Sequence, residues 1–236
     1  ANYRITKARG VIAEFRRDSF DEYLSLSRIG EGSLGGKARG LAFLDSMIKR
    51  NHLYDNWDGV HITIPKTVVL GTDIFDQFME ENNLYKVAIS EMSDKEILTR
   101  FLGARLPFRI KEDLYTLISF LHNPLAVRSS SLLEDSYYQP FAGIYSTYMI
   151  PNLESDERRM LEMLSEAIKS VYASAFYKDS KAYMTATSNV IDEEKMAIVL
   201  QEVVGRRYHN RFYPTFSGVA RSINFYPIEP EKSEDG

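Results

Sequence analysis

Ala126-Val127-Arg128-Ser129-Ser130-Ser131-Leu132-Leu133-Glu134-Asp135, followed by Phe141-Ala142-Gly143, is the stretch on which the reading of this chain turns. A short apolar run, predicted to be a strand, delivers an arginine and three hydroxyls to a loop. Arginine carries five donors in a fixed fork and stays charged at any working pH. Serine hydroxyls and backbone N–H groups at a glycine turn add neutral donors. Such a set suits a polyphosphate. It also suits a structural pair between Arg128 and Glu134 or Asp135, which is the simpler reading of the run taken alone.

A second donor-rich stretch lies upstream, Gly30-Glu31-Gly32-Ser33-Leu34-Gly35-Gly36-Lys37-Ala38-Arg39-Gly40. Gly30-x-Gly32-x-x-Gly35 matches the dinucleotide fingerprint on paper, but that motif needs a preceding strand. Residues 11–28 read as helix, which argues against it. A P-loop needs glycine where Glu31 stands and Ser or Thr where Ala38 stands. What remains is Gly-Gly-Lys at the start of a helix, with Lys37 as a mobile cation. Exposed N–H groups and the helix dipole favour an anion there. The rival reading is a glycine-rich linker with a solvated lysine.

Three motifs in order, Gly35-Gly36-Lys37-Ala38, then Val127-Arg128-Ser129-Ser130 with Glu134-Asp135 and Phe141-Ala142-Gly143, then Ser217-Gly218-Val219-Ala220, resemble one family. It is the N-terminal nucleotide-binding domain of phosphoenolpyruvate synthase and pyruvate phosphate dikinase. Ile64-Pro65-Lys66-Thr67-Val68-Val69-Leu70 is similar to the family's Pro-flanked strand, and the resemblance runs from about Ile29 to Asn224. It implies an α+β, ATP-grasp-like fold with a complete first lobe and the beginning of a second. The expected divisions are a helical extension over 1–28, a first nucleotide-binding lobe over 29–192, and a hinge strand with an incomplete second lobe over 193–236.

The resemblance implies ATP as ligand, with Lys37 and Arg128 as catalytic groups on its phosphates. Gly35, Gly36, Ser129, Ser130, Phe141, Ala142 and Gly143 would cradle those phosphates. The backbone of Gln201, Glu202 and Val203 would hold adenine. It further implies Mg2+, whose acidic ligands are expected beyond Gly236, together with a catalytic glutamine. A carrier histidine on a separate domain would take the phosphoryl group, and pyruvate would receive it. The phosphohistidine and phosphoenolpyruvate/pyruvate domains would belong to the same longer protein, so this chain is expected to be inactive alone. Two alternatives share the motifs: a non-catalytic nucleotide-sensing or scaffold module, and a dikinase-type enzyme acting on a glucan or an antibiotic. The family continues Ser-Gly-Val-Ala-x-Thr-Arg-Asn-Pro, but here Ile223 stands in the arginine's place, and Arg221 offers a substitute on the same strand face.

Composition agrees with one large domain or two small lobes. The chain has 236 residues, 44% hydrophobic and 26% charged, with a net charge of −4. Those values predict a folded core and speak against a general nucleic-acid binder. Arg206, Arg207, His209 and Arg211, with Tyr208 and Tyr213 among them, read as a solvated hairpin tip. There are no cysteines, which excludes disulfides and thiolate chemistry. His52, His61, His122 and His209 show no metal spacing, and none is nominated as phosphoryl acceptor. No apolar run approaches a membrane span, so a cytoplasmic protein with no membrane partner is expected, and a homodimer is one assembly open to it. The first residue is Ala1, and the polar stretch 227–236 leads to nothing, so the sequence reads as part of a longer protein.

Local patterns predict the elements. A helix begins near Lys37, with Leu41, Leu44 and Ile48 on one face. Val60, Ile62 and Ile64 alternate like a strand. Thr72 is expected to cap a helix, and Ser93-x-x-Glu96 to form a capping box. Met160, Leu164, Ile168, Val171 and Ala175 form a helical core stripe. Residues 195–204 form an apolar strand, 206–214 a hairpin tip, and 215–220 its return strand.

Overall fold

The structure, a computed structural model, describes residues 12–18, 24–131, 143–152, 156–186, 195–219, 222–224 and 227–235. Two compact units divide it, Ala1–Val203 and Val204–Gly236.

The first unit is built on a six-stranded sheet. Its strands are β1 (Ala13–Glu14), β2 (Leu26–Ile29), β3 (Thr67–Leu70), β4 (Leu125–Ser130), β5 (Thr147–Ile150) and β6 (Ala197–Glu202). They lie in the order β1-β2-β3-β6-β4-β5. β1, β2 and β3 are parallel, while β6 runs antiparallel to both β3 and β4, and β5 antiparallel to β4. The mixed sheet bears out the α+β class. The expected helix over 11–28 is corrected, because its described residues hold β1 and most of β2. Leu26 and Ser27 are buried at 6% and 4% exposure, and the backbone of β2 pairs from Leu26↔Thr67 to Ile29↔Leu70. That ladder outweighs the helical preference of the charged flanks.

Side chains alternate across the sheet. Val68, Leu70, Val127, Ile198 and Leu200 enter one core, whereas Leu26, Val69, Ala197 and Val199 enter another. The helices are α1 (Gly35–Arg50), α2 (Thr72–Glu81), α3 (Tyr85–Ala88), α4 (Asp94–Gly103), α5 (Phe108–Ser119), α6 (Glu157–Ser174) and α7 (Lys178–Ala186). The first core takes the apolar faces of α2, α4, α5 and α6, including Phe75, Phe78, Phe101 and Tyr172. The whole predicted stripe of α6, with Ala175 just past its end, is buried there. Among the described helices, α1 is the one that enters the second core, through Ala38, Leu41, Ala42 and Ile48. Leu44 does not share that face: it is 52% exposed, beside Phe43 at 64%.

Two further expectations change. Val60 makes only an isolated bridge to Trp57, and the alternating stretch 61–66 carries no strand. Pairing begins at Thr67, where β2 and β6 both offer ladder partners. Thr72 is the first residue of α2, with Gly71 at the cap position. Ser93 and Glu96 do form a reciprocal capping box at α4.

The second unit carries a two-stranded ribbon, β7 (Arg206–Tyr208) and β8 (Arg211–Tyr213), with Tyr208 and Tyr213 stacked 4.5 Å apart. The return strand therefore precedes the range expected for it, and among the described residues 215–219 there is none. His209 turns the chain with φ +55°, and Pro214, which has no N–H, follows β8 directly.

Candidate functional site

Two of the predicted motifs, Gly35-Gly36-Lys37-Ala38 and Arg128-Ser129-Ser130, meet where α1 starts against the C-terminal end of β4. The Ser130 hydroxyl donates to the Leu34 carbonyl (2.8 Å) and accepts from the Ala38 N–H (3.2 Å). Gly36 N–H donates to the Ser131 carbonyl (3.1 Å). Gly35 has φ +70°, and a Cβ there would lie 1.8 Å from the Ser130 carbonyl oxygen, so only glycine permits this approach. Lys37 Nζ donates to Ser129 Oγ (3.3 Å), joining residues 92 positions apart.

Arg128 is part-buried one residue before Ser129. Its register partners are Val199 and Thr147. Among the described residues no ion pair includes the Arg128 side chain. The carboxylates weighed as its structural partners, Glu134 and Asp135, lie outside the described residues, as do Phe141, Ala142 and Arg221. Gly143 is exposed with φ +82°.

The glycine loop differs from its expectation in two ways. A strand, β2, does precede it and a helix follows, so the ground for setting aside the dinucleotide fingerprint does not hold. Its amide groups, however, are engaged inside the protein. Glu31 N–H donates to Asp73 Oδ2 (3.0 Å), Gly32 N–H to Asp73 Oδ1 (2.8 Å), and Ser33 N–H to Thr72 Oγ1 (2.9 Å). Gly35 N–H reaches Ser33 Oγ at 3.4 Å. Arg28 holds the other side of the loop, donating to the Gly30 carbonyl (3.0 Å). The contacts of Asp73 and Thr72 with the loop escaped the sequence reading, which gave Thr72 only a capping role. Their only local signal was Gly71-Thr72-Asp73 at a helix start, and their partners lie about forty positions away.

The remaining candidates sit at the end of β6. Gln201 Nε2 donates to Thr67 Oγ1 (3.1 Å). Glu202 and Val203 use their N–H groups on the carbonyls of Lys66 (2.9 Å) and Pro124 (2.8 Å). Glu202 Oε1 is shielded from solvent and meets no hydrogen-bond donor among the described residues. These positions belong to the first unit, whose sheet contains β6 near its centre.

Among the described residues no group of three His, Asp or Glu side chains could hold a metal ion. No described helix is long and apolar enough to cross a membrane. A cleft of about 250 Å³ lies between α6, the start of α5 and the segment Ala104–Leu106 that precedes it, and is lined by Lys111, Glu162, Glu166 and Lys169. It shares no residue with the β4–α1 junction. Burial lowers the Lys169 ammonium below the ordinary lysine range, and its Nζ donates to the Leu102 carbonyl (2.6 Å), so it closes the end of α4.

Comparison with known proteins supplies the family. The pyruvate phosphate dikinase AMP/ATP-binding domain matches residues 31–235. This chain belongs to that family. An uncharacterized phosphotransferase of Bacillus subtilis (strain 168), YvkC, is 30% identical over 143 residues, covering 61% of this chain and 16% of that protein. The chain thus spans a small part of the length of its curated relative. The family domain and the phosphotransferase relative together identify a nucleotide-binding domain of a phosphotransferase-like kind.

Proposed function

We propose that this domain binds ATP with the polyphosphate at the β4–α1 junction, where Lys37, Arg128 and Ser129 meet it. The observation that carries the reading is the Lys37–Ser129 contact, which brings a lysine and the arginine-bearing strand end together across 92 positions. A lysine point charge and an arginine fork neutralise phosphate in complementary ways. Gly35, Gly36 and Ser130 shape this edge, and Phe141-Ala142-Gly143 would close over it. Adenine would lie against Gln201, Glu202 and Val203. The shielded Glu202 Oε1 supports this, because an adenine amino group would supply the donor it lacks.

The fuller reading rests on family membership. The domain would be the first lobe of an ATP-grasp-like fold, with its second lobe begun by Val204–Gly236. It would act within a longer cytoplasmic phosphotransferase that phosphorylates a carrier histidine and then pyruvate, a glucan or an antibiotic. The described residues offer no carboxylate set suited to Mg2+. No step is therefore assigned to the metal on this chain.

The test is calorimetric titration of Mg-ATP into the protein and its Arg128→Lys variant. The variant keeps the charge and loses the bidentate fork, so affinity should fall about tenfold with an almost unchanged melting temperature. A lowered melting temperature with intact affinity would make Arg128 a structural partner only. An absence of binding at millimolar Mg-ATP would overturn the nucleotide site.

A further inference from the structure

We infer that Asp73 is a positioning residue whose carboxylate fills the glycine loop's amide nest as a built-in anion. The loop then serves as a strut for Lys37, and the phosphates meet side chains instead of the Glu31 and Gly32 amides. This rests on the ATP reading above and deepens it.

Successive backbone N–H groups that converge on one point form an anion-binding concavity. Glu31 and Gly32 make such a pair, and each donates to a different oxygen of Asp73. Ser33 extends the row to Thr72 Oγ1, and Thr72 N–H returns a bond to the Ser33 carbonyl (2.9 Å). Gly71 N–H holds the Ile29 carbonyl (2.9 Å). The fit is close: a Cβ at Gly30 would lie 2.6 Å from Asp73 Oδ1, and one at Gly71 2.5 Å from the same atom. A Cβ at Gly32 would lie 2.4 Å from the Asp73 backbone nitrogen. The carboxylate therefore rests directly on the loop backbone, and a phosphate has no place there while Asp73 stays.

The consequence is mechanical. Residues 31–33 are fastened to the first turn of α2, and residues 34–38 to Ser130 and Ser131 at the end of β4. Lys37 lies in the second of these spans. Both fastenings fix the start of α1, and with it the lysine's reach toward Ser129.

The experiment uses Asp73→Ala, with Asp73→Asn as the milder variant, and follows amide hydrogen exchange at residues 31–33 and Mg-ATP affinity. Asp73→Ala should lose at least about tenfold of the protection at Glu31 and Gly32, and weaken Mg-ATP by a similar factor. Sodium formate fits the space of the missing carboxylate. It should restore both, whereas sodium chloride at equal ionic strength should not. A purely steric role for Asp73 would show no such anion-specific rescue. If Asp73→Ala does not fold, Asp73→Asn, which keeps one acceptor oxygen, should lose protection at one of the two amides and keep it at the other. Unchanged exchange in the variants, or formate no better than chloride, overturns the inference. So does tighter Mg-ATP binding by Asp73→Ala with formate as competitor, because the nest would then be a phosphate site. If the unaltered protein binds no Mg-ATP, the nucleotide reading falls, and the exchange and formate arms still decide the role of Asp73.

Discussion

The two faces of the sheet are built for different tasks. One face is closed by α2, α4, α5 and α6 over a continuous apolar core in which the rings of Phe75, Phe78, Phe101, Tyr172 and Phe176 pack against one another. Even the Tyr172 hydroxyl is enclosed without a hydrogen-bond partner among the described residues, and burial raises its pKa so that it stays neutral. The other face carries α1 on a small core, and polar strand residues share it: Arg128 and Ser130 on β4, Thr67 on β3, Gln201 on β6. The large apolar core lies on the closed face, and Arg128 lies on the open one, while Ser129 follows Val127 toward the closed side at the strand's end. One strand serves both, since Val127 and Arg128 are neighbours pointing opposite ways.

The division can be broken by mutation. Phe75→Ala on the closed face should cost about 3–5 kcal/mol of stability and leave Mg-ATP affinity of the folded protein unchanged. Denaturant unfolding and calorimetry measure the two, and a large loss of affinity in this variant would abolish the distinction. Ser130→Ala sharpens it from the other side. The residue is fully buried, and losing its hydroxyl strands the Leu34 carbonyl and the Ala38 N–H. Stability should fall by about 2 kcal/mol, and affinity should fall as well because the start of α1 is released. A variant that loses stability alone would place Ser130 wholly on the structural side.

The smallest effect is a pH dependence far from the open face. The Ser93 hydroxyl and N–H hold the Glu96 carboxyl below its ordinary pKa. A depressed acid favours folding above its unfolded-state pKa, and that contribution is lost as pH falls through the folded value. Glu96→Gln should therefore flatten part of the acid limb of a melting-temperature profile while Mg-ATP affinity at neutral pH stays the same. An unchanged acid limb would show that the box contributes nothing measurable.

What the sequence disclosed follows from range. Ser93-x-x-Glu96 was legible because its partners are three residues apart, and the α6 stripe because helical spacing writes itself into consecutive turns. Leu26-Ser27-Arg28-Ile29 was not legible as a strand. It is four residues long, contains an arginine, and gains its identity from Thr67–Leu70. Conversely, Val60, Ile62 and Ile64 have a strand's alternation without a ladder to join. At the site, Lys37 and Arg128 stood out as residue types at motif positions. Asp73 did not, because a carboxylate in a helix's first turn is ordinary until the chain brings Glu31 and Gly32 to it.

The position of β6 governs how the domain comes into being. β1, β2 and β3 form one ribbon, β4 and β5 another, and β6 is the strand that joins them. It pairs Thr67 with Gln201 and Ser130 with Ala197 in the same six residues. On a ribosome, everything through residue 196 emerges before that joint exists. Until then the chain holds two half-sheets with open edges at β3 and β4, each a template for unwanted strand pairing. Contacts this distant in sequence form slowly and late. The nascent domain is thus exposed longest at the two strands between which its last strand inserts.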